Sequence, residues 1–101
     1  MTLSDYTFER EENMFRLWGK LFKENRLVKD SVFCDGSQDT RTHKIFRGLE
    51  QICYEFDLEK PIWLDSTVSE FKRHSKARFY QDSFIEQQDF DYLEIQVIEE
   101  D

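Results

Sequence analysis

The chain has 101 residues, of which 39% are hydrophobic, 16% aromatic and 36% charged, and its formal charge is −8. That length holds one domain. Ten Phe, four Tyr and two Trp supply large apolar surface for a core, which excludes a disordered segment. The acidic total disfavours non-specific attraction to nucleic acid and anionic membranes, without excluding a local basic face.

Residues 1–13, MTLSDYTFEREEN, show no basic end leading into an apolar run, so no secretory signal is expected. They are expected to be loosely ordered within a single domain spanning 1–101. No window is apolar for long enough to cross a bilayer. A cytoplasmic location follows by elimination, and Cys34 and Cys53 then read as reduced, inward-facing core residues.

Residues 14–34, MFRLWGKLFKENRLVKDSVFC, carry the clearest strand signal and predict a β-hairpin. A two-residue turn at Glu24-Asn25 sets Leu21 opposite Val28, Leu17 opposite Val32 and Phe15 opposite Cys34, so these six share one face. Asn25 tolerates the positive φ that a tight turn needs. The far side, with Trp18, Phe22, Leu27 and Phe33 among Arg16, Lys20 and Lys29, is more apolar than a solvated face should be.

Asp35-Gly36-Ser37 reads as a turn, with Ser37 or Asp39 placed to cap the next helix. Ile45, Phe46, Leu49, Ile52, Cys53 and Phe56 form one helical stripe, which predicts a long helix over about 39–57 that must end before Pro61. Residues 58–64 read as an extended connector, with Ile62-Trp63-Leu64 plugging the core edge. Thr67 and Glu70 have capping-box spacing and open a short helix over about 67–76. Residues 78–85 are expected to be extended. A C-terminal strand over about 90–99 puts Leu93, Ile95 and Val97 on one face and Tyr92, Glu94, Gln96 and Ile98 on the other. The predicted class is α+β, a small sheet packed against helices.

The stretches LWGKLFKENRLVKD and PIWLDSTVSEFKRHSKARFYQDSFIEQQDFDYLEIQVIEED resemble a family of uncharacterised short acidic proteins from low-GC Gram-positive bacteria. The resemblance runs from about Leu17 to the C-terminus and is densest from Asp82 to Asp101. It implies a bacterial cytoplasmic protein and an acidic end that belongs to the domain. It carries over no activity, ligand or catalytic residue.

No catalytic, metal or cofactor constellation is visible. His43 and His74 lack ligand spacing to a second His or Cys. A Cys–His pair would need an exposed cysteine, no Gly-x-Ser-x-Gly turn is present, and Gly19, Gly36 and Gly48 stand alone rather than in a phosphate-cradling loop. The acids Asp82, Glu86, Asp89, Asp91 and Glu94 could hold a divalent cation and make a small metal-dependent hydrolase, against which stands their role as a solvated rim on an edge strand. Lys72, Arg73, Lys76 and Arg78 form a candidate basic face. With Trp18, Phe22, Phe79 and Tyr80 as stacking platforms, that face would suit a nucleic-acid-associated accessory protein. The favoured expectation is a non-enzymatic protein-interaction or regulatory domain with no cofactor and no membrane contact. It would meet a protein partner or a second copy through Trp18, Phe22, Leu27, Phe33 and Tyr92.

Overall fold

In the computed structural model, which describes residues 14–100, the hairpin turns where the sequence places the turn. Glu24 and Asn25 have φ of 54° and 66°, the paired left-handed conformation of a type I′ turn. It joins β1 (Phe15–Lys23) to β2 (Arg26–Asp35). The residues expected to be loosely ordered, 1–13, lie outside the described part.

The register differs from the expectation over most of the hairpin. Lys23 pairs with Arg26 and Phe22 with Leu27, but the register then shifts, and Leu21 pairs with Lys29. Val28 is thus an extra residue, a β-bulge. Past it, every β2 side chain lies on the opposite face from the one a straight ladder would give. Leu17 faces Phe33, Trp18 faces Val32, and Arg16 faces Cys34. The six-residue face of Phe15, Leu17, Leu21, Val28, Val32 and Cys34 therefore does not form. Phe33 turns to the buried side and Cys34 is exposed.

After the hairpin, α1 (Arg41–Phe56) is capped by Thr40, whose hydroxyl accepts from the His43 backbone N–H at 3.2 Å. Neither Ser37 nor Asp39 caps it. Asp39 instead accepts from His43 Nδ1 and from Arg47. The helix closes at Asp57 in a left-handed conformation, and its stripe of Ile45, Leu49, Ile52, Cys53 and Phe56 is buried as expected, while Phe46 is exposed. Helix and hairpin meet through two glycines. A Cβ on Gly48 would lie 2.7 Å from Phe33 and 2.8 Å from Leu17, and one on Gly19 would lie 2.6 Å from Ile52. The absent side chains let α1 sit directly on β1 and β2.

Trp63 in the connector packs edge-on against Phe71 and Phe79, at centroid distances of 5.8 Å and 5.0 Å. It seals the core edge, with Ile62 exposed beside it. The short helix α2 (Asp65–His74) starts two residues before the expected position, with Leu64 at its N-cap and no side-chain cap. The Thr67–Glu70 capping box does not form, because Thr67 is already inside the helix and buried. Glu70 accepts from the Arg78 backbone N–H instead. Residues 78–85 are only briefly extended. β3 (Lys76–Phe79) is followed by a 3₁₀ turn at Gln81–Ser83, and Phe84 and Phe90 fold inward against each other. β4 (Tyr92–Glu99) then runs antiparallel between β1 and β3.

The sheet order is β2-β1-β4-β3. Phe15, Leu17, Leu21, Ala77, Phe79, Leu93 and Ile95 are buried beneath the helices. The fold is α+β, an antiparallel four-stranded sheet with two helices packed against it. No described helix is long and apolar enough to cross a membrane.

Candidate functional site

With the helices on one side, the other face of the sheet is built from three cross-strand rows that the register fixes. The first row runs Leu27, Phe22, Tyr92 across β2, β1 and β4, and Tyr80 just beyond β3 extends it. Phe22 stacks on Tyr92 at 4.9 Å, and Tyr92 meets Tyr80 at 5.4 Å. The second row is Asp30, Lys20, Glu94, Arg78, one charge per strand with alternating sign. The third is Val32, Trp18, Gln96, Lys76. Arg16 and Cys34 follow, with Arg16 donating to Cys34 Sγ at 3.2 Å and to Glu99 at 2.7 Å.

The charged row organises the face. Glu94 is 4% exposed and lies between Lys20, at 2.7 Å, and Arg78, at 2.9 Å. Burial pushes the Glu94 carboxyl up, but hydrogen bonds from Lys20 and Arg78 outweigh it and hold the carboxyl below its ordinary value. Lys20 also lies 4.0 Å from the Trp18 ring centroid, and Trp18 Nε1 donates to Asp30 at 3.0 Å. Arg78 covers Tyr92 at 4.7 Å. These contacts fix the aromatic side chains in place while Leu27, Val32 and Tyr80 remain 45–48% exposed.

Of the residues expected to form an interaction surface, Trp18, Phe22, Leu27 and Tyr92 lie on this face. Phe33 does not, because the bulge turns it toward Gly48. Val32 takes its place. The basic residues are divided. Lys76 and Arg78 are on the sheet face, beside Glu70, His74 and Gln96. Lys72 and Arg73 are on α2, where Lys72 borders a cleft next to Arg41.

The acidic residues are not gathered into one site. Glu94 is consumed by Lys20 and Arg78, Asp89 pairs with Lys23, and Asp91 accepts from the Glu24 backbone N–H. Among the described residues no group of three His, Cys, Asp or Glu side chains is placed to hold a metal ion. His43 is exposed and pairs with Asp39, whose carboxyl is lowered to about 2 by that contact and by the Thr40 N–H. Burial pushes the Cys53 thiol up to about 12, which leaves it protonated and unreactive.

The Lys20–Glu94–Arg78 group escaped the sequence reading. Its signal was present in single charges set inside apolar strands, Lys20 within LWGKLF and Glu94 within YLEIQV. A lone charge on a half-buried strand needs an opposite charge on a neighbouring strand. Comparison of the chain with family models, with curated proteins and with solved structures finds no significant match, so the functional reading rests on this geometry.

Proposed function

We propose that the chain is a non-enzymatic protein-interaction domain that self-associates through the open face of its sheet. The observation that carries the proposal is the sidedness of the fold. Both helices pack on one face, and Trp18, Val32, Leu27, Phe22, Tyr92 and Tyr80 lie on the other. Aromatic side chains flanked by charge are the composition of protein interfaces.

The charged row supports a second copy as the partner. Turning one sheet over about an axis parallel to its strands, between β1 and β4, reverses the strand order while keeping the row height. Asp30 of one copy then faces Arg78 of the second, and Lys20 faces Glu94. The alternating row is complementary to itself under a two-fold axis, as an isologous dimer requires. On one side of that row Phe22 would face Tyr92 and Leu27 would face Tyr80, and on the other Trp18 would face Gln96 and Val32 would face Lys76.

Sedimentation equilibrium over a range of concentrations tests this. The wild-type chain should form dimers. Trp18→Ser should raise the dimer dissociation constant roughly 30-fold, since central aromatic anchors contribute about 2 kcal/mol or more. A chain that stays monomeric throughout, or a Trp18→Ser variant that dimerises as well as wild type, would count against the proposal.

One observation favours a second reading, a nucleic-acid-associated protein. Phe22, Tyr92 and Tyr80 form an aromatic row on an open antiparallel sheet beside Arg78 and Lys76, the arrangement on which unpaired bases stack. Binding of single-stranded RNA or DNA should then weaken steeply with salt and fall further in Lys76→Glu. Absence of binding at low ionic strength removes this reading.

A further inference from the structure

On the opposite side of the molecule, α1 and α2 leave a cleft of about 290 Å³ between them. Ile45, Phe46, Trp63, Val68 and Phe71 give it an apolar lining. Phe46 meets Trp63 edge-on at 6.2 Å, and Trp63 meets Phe71 in the same way. Phe46 is nevertheless 51% exposed, so this aromatic group is open to solvent on one side. The volume falls at the lower end of the range for small-molecule sites, about 300 Å³, enough for one short alkyl chain or one ring system.

The polar lining decides what such a molecule must carry. It consists of Arg41, Thr42 and Lys72, with no carboxylate among the lining residues, although the chain as a whole has a charge of −8. Arg41 is engaged by Glu100 at 2.7 Å and by Ser75 at 3.2 Å, and it lies over the Phe71 ring at 5.4 Å. Lys72 has no ion pair among the described residues. A cationic ligand would find aromatic rings but also two positive charges. A neutral apolar ligand would draw the Lys72 ammonium out of water with nothing to offset the loss. An anion on an apolar body meets both halves of the site.

We propose that the α1–α2 cleft binds a small amphiphilic carboxylate, its apolar body against Trp63, Phe46 and Val68 and its carboxylate on Lys72. The site lies in the helical layer, so filling it leaves the sheet face free, and the two proposals stand or fall separately.

Trp63 reports on the cleft directly. The chain holds two tryptophans, and Trp18→Phe leaves Trp63 as the sole one. Titrating decanoate into that full-length variant should give a saturable change in fluorescence. Adding Lys72→Glu, an exposed position whose replacement leaves the core intact, should weaken the affinity about tenfold or more, the scale of a charge-assisted contact turned repulsive. Adding Val68→Phe instead should abolish binding by filling the cleft, and decanol should bind several-fold more weakly than decanoate. The proposal is overturned if decanoate gives no saturation up to about 1 mM, if decanol binds equally well, or if Lys72→Glu changes nothing. A response confined to anionic lipid vesicles, with none to free decanoate, also overturns it.

Discussion

Replacing Phe79 by alanine should destabilise the protein by about 4 kcal/mol, near the middle of the range for removing a buried aromatic ring. Phe79 is fully buried in β3, and Trp63 stands against its ring at 5.0 Å. β3 is only four residues long, so few backbone bonds hold it, and packing must do the rest. The ring also ties the connector to the sheet through Trp63. In urea, the midpoint should fall while the slope stays near the wild-type value. A loss below about 1 kcal/mol would mean that the site collapses around the missing ring. Near-ultraviolet circular dichroism should show Trp63 losing its fixed environment in the same variant.

Glu94→Gln should cost about 3 kcal/mol, because it leaves two cations around a buried position with no anion between them. The lower end of the range for a broken buried pair applies, since Arg78 is 41% exposed and can turn toward water while Lys20 is only 12% exposed. The pH dependence follows from the direction of the shift. Glu94 is held below its ordinary value of 4.5 when folded, so the folded state releases its proton more readily than the unfolded one. Its contribution is complete above the unfolded value and is lost as pH falls through the folded one. Chemical denaturation at a series of pH values should therefore show a shallower acid limb in Glu94→Gln than in wild type. Equal acid limbs would mean that the carboxyl does not carry the linkage. Replacing Lys20 by Met and Glu94 by Leu together should recover part of the loss, because an apolar pair leaves less unpaired charge on that face.

Much of the fold was legible because it follows from periodicity. The Glu24-Asn25 turn, the α1 stripe and the alternation in β4 each rest on several residues repeating one spacing. The failures come where one residue decides. Nothing in the hairpin distinguishes a straight ladder from a bulged one, since both alternations offer apolar residues to the core. What selects the bulge is tertiary. Gly48 makes room for Phe33, and no local pattern connects positions so far apart in the chain. The Thr67–Glu70 spacing satisfies a capping rule, but burial of Thr67 and the hydrogen bond that Glu70 accepts from the Arg78 backbone N–H override it. For the candidate site, the individual aromatic residues could be named from sequence, but their order across four strands could not, because the order depends on the placement of β4 between β1 and β3.

The bulge at Val28 has a further meaning for how this chain tolerates change in length. Side-chain direction along β2 behaves like a reading frame with two phases, and one residue sets the phase for everything beyond it. Losing Val28 itself would close the ladder and leave Leu17 opposite Phe33, so both surfaces of the sheet would keep their side chains. A second residue lost from the same stretch would send Phe33 outward and bring Val32 and Cys34 beneath α1, exchanging the sheet's two surfaces along a whole strand. This hairpin should therefore survive loss of its bulged residue and fail on loss of the next, and the parity of the strand, more than the identity of its residues, determines which surface the molecule presents.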